Sequence, residues 1–209
     1  MIDELYSTAT FVVLAGMKKA AREDVQKNIT IATLLYHTGL GLSAATQLVR
    51  LGYPLSVGVI VRNVLETIAT VIHLGTYPED LQRFRDGELK SSKTFSTAKT
   101  IIPFLGRMNG ILSDEFVHLG KLYTEPQPFR KYDSRQDSGL DTALGMLKMT
   151  VWLFYLTAEL QFHDTIPEPR YWKSEGVVSE KQVQLLYGPS PEERKWMTEF
   201  LGTTLEDSA

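Results

Sequence analysis

Apolar residues along this chain recur at intervals of three and four rather than two, so the pattern predicts helix nearly throughout. A first helix over residues 3–27 sets Leu5, Thr8, Ala9, Val12, Val13 and Ala20 on one side and Lys18, Lys19, Arg22 and Glu23 on the other. A second over 28–51 stops at Gly52, and Pro54 opens a third, where a residue without a backbone donor suits the first turn. The third runs to 74, with Gly75 and Pro78 as end signals. A fourth is expected over 78–102, broken near Gly87 and closed by Pro103, and a fifth over 113–123 with an acidic first turn. Residues 124–139, with two prolines and mixed charge, read as a long loop. The sixth helix, over 140–164, is the most aromatic.

Beyond Pro167 and Pro169 the chain becomes more polar. Two short helices are expected there, over 179–187 and 190–205, because Ser179 with Gln182 and Ser190 with Glu193 have the spacing of capping boxes. The fold expectation is an all-α bundle of five to seven helices over residues 1–166, with helices 2, 3 and 6 central. Residues 167–209 form a C-terminal helical arm packed on the same domain. Gly39, Gly41, Ser43, Ala44 and Ala45 in helix 2 face the question of why small residues occupy a helix interior, as do Ser56 and Gly58 in helix 3. An interior glycine costs about 1 kcal/mol against alanine. A close approach of helices 2 and 3, joined as an antiparallel hairpin across Gly52 and Tyr53, would offset that cost.

Composition narrows the chemistry. A chain of 209 residues buries roughly 70% of its unfolded surface and needs no disulfide or metal to hold a core. Zero cysteines exclude a disulfide scaffold, a thiol nucleophile and a cysteine-ligated metal. A net charge of −3 provides no general field for nucleic acid or an anionic membrane. The most apolar windows, 55–75 and 143–160, contain Arg62, Glu66 and His73, and Lys148 and Glu159. A central charge costs about 2.5–3.5 kcal/mol in a bilayer, so neither window is expected to span one. The N-terminal run is acidic, unlike a secretory leader. A cytoplasmic protein without a membrane partner is the expectation.

Arg62, Glu66 and His73 share one face of helix 3, since eleven residues return to within about 20° of the start. The rest of that helix is almost entirely Val, Ile, Leu and Ala, so it is buried on most sides. Its charged face is then either a narrow solvated strip or the wall of an internal polar pocket. On the first reading Arg62 and Glu66 form an intrahelical pair worth a few tenths of a kcal/mol, and His73 is satisfied near the helix end. On the second, Arg62 and Glu66 point toward His118 on helix 5. Arg62, whose five donors one carboxylate cannot occupy, then takes another polar partner from a neighbouring helix. Arg62, Glu66 and His118 are the candidate catalytic residues.

No cofactor or metal is expected. Glu115 and His118 make one Glu-x-x-His step, half of a di-iron set, and Gly39-Leu40-Gly41 lacks the third glycine and the lysine of a phosphate loop. Glu159 and His163 read as a surface pair near the end of helix 6. Arg83, Arg85, Lys90, Lys93 and Lys99 make helix 4 locally basic, and Arg130, Lys131 and Arg135 do the same for the loop. Glu79, Asp80, Asp86 and Glu88 balance these as solvated faces. Trp152, Phe154 and Tyr155 are expected in the core or a dimer interface.

The run Tyr53-Pro54-Leu55-Ser56-Val57-Gly58-Val59-Ile60-Val61-Arg62-Asn63-Val64-Leu65-Glu66-Thr67 resembles a pattern in a family of prokaryotic helical proteins of no assigned activity. The later segment Leu112-Ser113-Asp114-Glu115-Phe116-Val117-His118 matches a second part of that pattern. The family is similar in layout to the broad HEPN group of helical bundles, many of them RNA-cutting toxins or defence factors. Over about residues 28–123 the resemblance implies a helical bundle and a cytoplasmic defence or toxin-type factor acting on RNA. Arg62 would stabilise phosphate charge there, with His118 or Glu66 moving a proton. HEPN ribonucleases usually carry an arginine and a histidine on one helix with four to six residues between them. Here Arg62 and His73, like Arg107 and His118, have ten residues between them, so that motif is absent. The alternative is a non-enzymatic interaction protein forming a homodimer, in which the Arg62–Glu66 pair only fixes helix register. RNA, another protein or a second copy are the partners these readings allow.

Overall fold

The computed structural model describes residues 2–112, 138–179, 182–188 and 190–201. Three long helices come first, α1 (Ile2–Glu23), α2 (Gln26–Arg50) and α3 (Pro54–Thr76). A 3-10 turn (Pro78–Asp80) leads into the shorter α4 (Leu81–Arg85), α5 (Ser91–Ile101) and α6 (Phe104–Leu112). The long α7 (Ser138–Phe162) follows, then a second 3-10 turn (His163–Thr165), a hairpin of β1 (Trp172–Ser179) and β2 (Gln182–Tyr187), and α8 (Pro191–Leu201). The protein is an all-α bundle carrying one small hairpin.

Helices α1, α2, α3 and α7 pack together, and α5 and α6 lie against α3. The core they share is apolar: Leu35 and Leu42 from α2, Leu65, Ile68 and Ile72 from α3, Phe154 and Tyr155 from α7 are all buried. Burying each such side chain contributes about 1.5–3 kcal/mol, which is why the helices with the widest apolar faces occupy the centre. Trp152 is buried among them. Segments Ser56–Thr76 and Leu140–Thr165 are long and apolar enough to cross a membrane, yet most of each is buried inside the bundle.

The α2–α3 hairpin forms as its small residues require. Gly52 takes the left-handed conformation (φ 80°), and its amide donates to the Val49 carbonyl at 2.9 Å, closing α2. A Cβ at Gly41 would lie 3.1 Å from Val64 Cγ2, so the glycine sets the closeness of α2 and α3. Gly75 departs from its expected role. It lies inside α3, where a Cβ would come 2.5 Å from Gln161 Oε1, so it makes room for α7 rather than stopping the helix.

Other boundaries also move. The expected helix 4 is a 3-10 turn, α4 and α5, separated where Gly87 adopts φ 73°. Pro103 closes α5 and also opens α6, which the periodicity does not anticipate; Gly106 donates to the Pro103 carbonyl at 3.2 Å in its first turn. The expected helix over 179–187 is overturned: the described residues there, Ser179 and Gln182–Tyr187, are strand, with Trp172 opposite Tyr187 and Val177 opposite Val183 in an antiparallel register. Gln182-Val183-Gln184-Leu185 alternates at period two, and β-branched valines suit a pleated surface, which outweighs a four-residue capping pattern. The arm is therefore a hairpin followed by α8. The expected fifth helix and the long loop lie outside the described residues, apart from Ser138 and Gly139, which belong to α7.

Candidate functional site

Arg62 and Glu66 stand one turn apart on α3, where the sequence places them. The Arg62 guanidinium donates to Glu66 Oε1 from Nε at 3.1 Å and from a terminal nitrogen at 3.0 Å. Their side chains are 22% and 35% exposed, so the pair sits at the edge of solvent rather than in a sealed pocket. His118, the third candidate, lies outside the described residues. The structure thus brings two of the three candidates together.

His73 continues the same face of α3 but is engaged elsewhere. Its ring is fully buried. Nε2 hydrogen-bonds Asp80 Oδ2 at 2.8 Å, and Nδ1 hydrogen-bonds the Thr97 hydroxyl of α5, also at 2.8 Å. With Nε2 protonated the ring donates to the carboxylate and Nδ1 accepts from the hydroxyl. Asp80 receives two further donors, Lys93 at 2.5 Å and Arg83 at 3.0 Å. The Lys93 hydrogen bond, then those of His73 and Arg83, hold its carboxyl well below the usual carboxylate range. Hydroxyl, imidazole and carboxylate follow one another as in a nucleophile relay. Here, however, the imidazole is sealed and the carboxylate is saturated by donors from three elements. The cluster ties the end of α3 to the 3-10 turn, α4 and α5. Arg83 and Lys93, expected on a solvated basic face, are part of this tie.

Glu159 corrects the expectation of a surface pair with His163. It is fully buried in α7. One carboxylate oxygen accepts the backbone N–H of Tyr171 at 2.7 Å and of Trp172 at 2.9 Å. The Trp172 indole N–H donates to the Leu156 carbonyl at 2.9 Å, so three bonds accepted by α7 anchor the chain where β1 begins. Tyr187 of β2 stacks on Tyr171 and meets Trp172 edge-on. Partial burial pushes the Tyr187 phenol up to about 12, with the Glu159 charge adding and Arg194 opposing. The readable signal for Glu159 was its position: a lone acid within the most apolar stretch of α7.

A polar cavity of about 220 Å³ opens between α1, the start of α2 and the end of α7, lined by Lys19, Glu23, Asn28, Gln161 and Asp164 among others. Lys19 pairs with Asp164 and lies 3.8 Å from Glu23. The Asp164 hydrogen bond raises the Lys19 ammonium above its ordinary value, so the cavity's cation is held charged by its own acids. Among the described residues, no group of three or more His, Asp or Glu side chains is placed to hold a metal ion.

The outer side of α1 is a different kind of feature. Glu4, Ser7, Phe11, Leu14, Lys18 and Ala21 recur at three and four and are all exposed, opposite buried Leu5, Ala9, Val12 and Val13. Phe11 is 71% exposed and Leu14 50%. The Tyr6 hydroxyl donates to the Gly39 carbonyl at 2.9 Å and meets the Ser43 hydroxyl, fixing α2 alongside. Tyr36 and Leu40, also exposed, are carried on that neighbouring helix. Sequence reasoning followed the buried side of α1 and passed over this second, regularly spaced series. Comparisons with protein-family models, with curated proteins and with solved structures find no match to the chain.

Proposed function

We propose that this chain is a non-enzymatic helical interaction protein that docks a protein partner on the outer face of α1, flanked by α2. One observation carries the reading: of the large apolar side chains that the described residues leave exposed, Phe11 is the most exposed, and Leu14 on the same face of α1 and Tyr36 and Leu40 on α2 are exposed with it. Large apolar side chains left to solvent at regular spacing on one helix face are a feature of docking sites. The polar clusters support the same reading, because each is occupied in joining elements: His73 and Asp80 at the end of α3, Glu159 at the hairpin. The Arg62–Glu66 pair then fixes the register of α3. A photo-crosslinking residue placed at position 11, and separately at position 40, tests the reading in the native cell. Discrete adducts from both sites, absent from an exposed control position such as 141, are expected. No adduct from either site overturns the proposal.

A second reading rests on the Arg62–Glu66 pair being solvent-edge rather than sealed. In it the chain is a cytoplasmic HEPN-like defence or toxin-type factor that acts on RNA, Arg62 stabilising phosphate charge and His118 or Glu66 moving a proton. Its test is cleavage of RNA by the purified chain beside the Arg62→Ala and His118→Ala variants. Cleavage lost in both variants with the helical circular dichroism intact supports it. Equal cleavage by all three chains, or none by the wild type, ends it.

A further inference from the structure

The docking face of α1 carries the marks of a self-complementary seam, and from them we infer that its partner is a second copy of this chain, paired antiparallel through α1. The inference rests on the interaction reading above and names its partner. Glu4, Ser7, Phe11, Leu14, Lys18 and Ala21 follow the three-four spacing of a heptad seam, the spacing that lets one helix lie along another. Every one of these positions is exposed. The middle of the seam is apolar and uncharged, so two copies meet there without repulsion.

The ends of the seam choose the orientation. Its start is acidic, with Asp3 and Glu4 in the first turn of α1, although Glu4 also pairs with Arg170 of its own chain at 3.4 Å, so Asp3 carries most of that end's charge toward a partner. Its far end is basic, with Lys18 on the seam and Arg22 in the last turn, both exposed. Lys18 makes no hydrogen bond or ion pair with any described residue. A parallel pairing would lay acid on acid and base on base. A two-fold axis between Phe11 and Leu14 lays each acidic end on the basic end of the other copy, and sets Phe11 of each chain against Leu14 of the other. One patch thus serves both subunits, as an isologous dimer requires. The neighbouring helix adds Tyr36 and Leu40, and its exposed positions Thr33, His37, Ser43, Ala44 and Gln47 bring no fixed charge to the flank.

The test is sedimentation equilibrium of the full chain at micromolar concentration, with circular dichroism to confirm the fold of each variant. The wild type is expected to be a dimer, and Phe11→Asp a folded monomer; Leu14→Asp repeats the measurement should Phe11→Asp fail to fold. A chain with Asp3→Lys and Glu4→Lys, and another with Lys18→Glu and Arg22→Glu, are each expected to self-associate at least about tenfold more weakly. Mixed in equal amounts they are expected to form a heterodimer at near wild-type affinity, because every facing pair is again of opposite sign. A monomeric wild type, or a mixture that associates no better than its parts, overturns the inference. Adducts from position 11 in the cell at a mass other than twice the chain, with a monomeric wild type, overturn the self-pairing while leaving the docking surface standing. The same monomer with adducts from neither position overturns both.

Discussion

His73 Nε2 and Asp80 Oδ2 lie 2.8 Å apart across the corner where α3 gives way to the 3-10 turn. The bond spans only seven residues, yet it joins a fully buried imidazole to a carboxylate that also receives Lys93 from α5 and Arg83 from α4. Three donors on one acid hold the corner together. The Tyr77 ring lies against the imidazole, its centre 5.1 Å from that of His73.

That node should show itself in the pH dependence of stability. A carboxyl whose folded pKa lies below its unfolded value of 3.8 contributes stability that is fully present above that value. The contribution is lost as the pH falls through the lower, folded value. Asp80→Asn has nothing to protonate at this position. Urea midpoints of the wild type and Asp80→Asn should therefore differ most near neutral pH and draw progressively together as the pH falls from about 4 to about 2. A gap that stays constant over that window would mean Asp80 acts by shape alone.

At the other end of the bundle Glu159 makes a separable prediction. Glu159→Ala strips the acceptor from two buried backbone N–H groups and should cost about 2–4 kcal/mol, at about 1–3 kcal/mol for each unsatisfied donor less partial relaxation. Glu159→Gln keeps an acceptor oxygen and removes a buried charge, so it should cost much less than the alanine variant. Thermal melts of the two variants check the order. Equal losses would place the role of Glu159 in its charge rather than in its acceptor.

The contrast between these clusters explains what could be read in advance. The α2–α3 hairpin was legible because Gly52 and Pro54 impose the turn locally, and Gly41 marks where the neighbouring helix must come close. Arg62 and Glu66 were legible because i and i+4 on one helix must meet. Asp80 and Thr97 around His73 were not, since the first depends on how the 3-10 turn leaves α3 and the second on how α5 folds back after Gly87. Glu159 was misplaced for the same reason: its partners, the amides of Tyr171 and Trp172, arrive from beyond the end of α7. The hairpin was misread because Ser179 and Gln182 suit a helix start locally, while its pairing is set by residues on both strands.

Two glycines in helices should respond in opposite directions to alanine. At Gly16 a Cβ would fall 2.5 Å from the Phe162 ring, which is itself buried. Overpacking of that kind costs about 1–3 kcal/mol and outweighs the gain of up to about 1 kcal/mol in helix propensity. At Gly110 in α6 nothing lies within 4 Å of a Cβ, so Gly110→Ala should gain about 0.4–1 kcal/mol. Denaturant midpoints of the two variants should move to opposite sides of the wild type. A gain at Gly16 would show that α1 and α7 can part there without loss, and a loss at Gly110 would show that the added methyl is not free of cost in α6.

The Arg62–Glu66 pair separates the two functional readings by its energy. An i, i+4 pair open to solvent couples by about 0.3–0.5 kcal/mol, screened by salt, because water solvates both ions nearly as well apart as together. A pair set into a site that excludes water couples several times more strongly, since removing one partner strands the other. Exposures of 22% and 35% favour the first case. A double-mutant cycle with Arg62→Ala and Glu66→Ala, read by urea unfolding at low and high salt, isolates the pairwise term from whatever else Arg62 touches. The expected coupling is below about 1 kcal/mol and falls with salt. A coupling above about 2 kcal/mol that salt leaves unchanged would instead mark a desolvated charge pair, and would move the weight of the functional reading from the face of α1 to the charged face of α3.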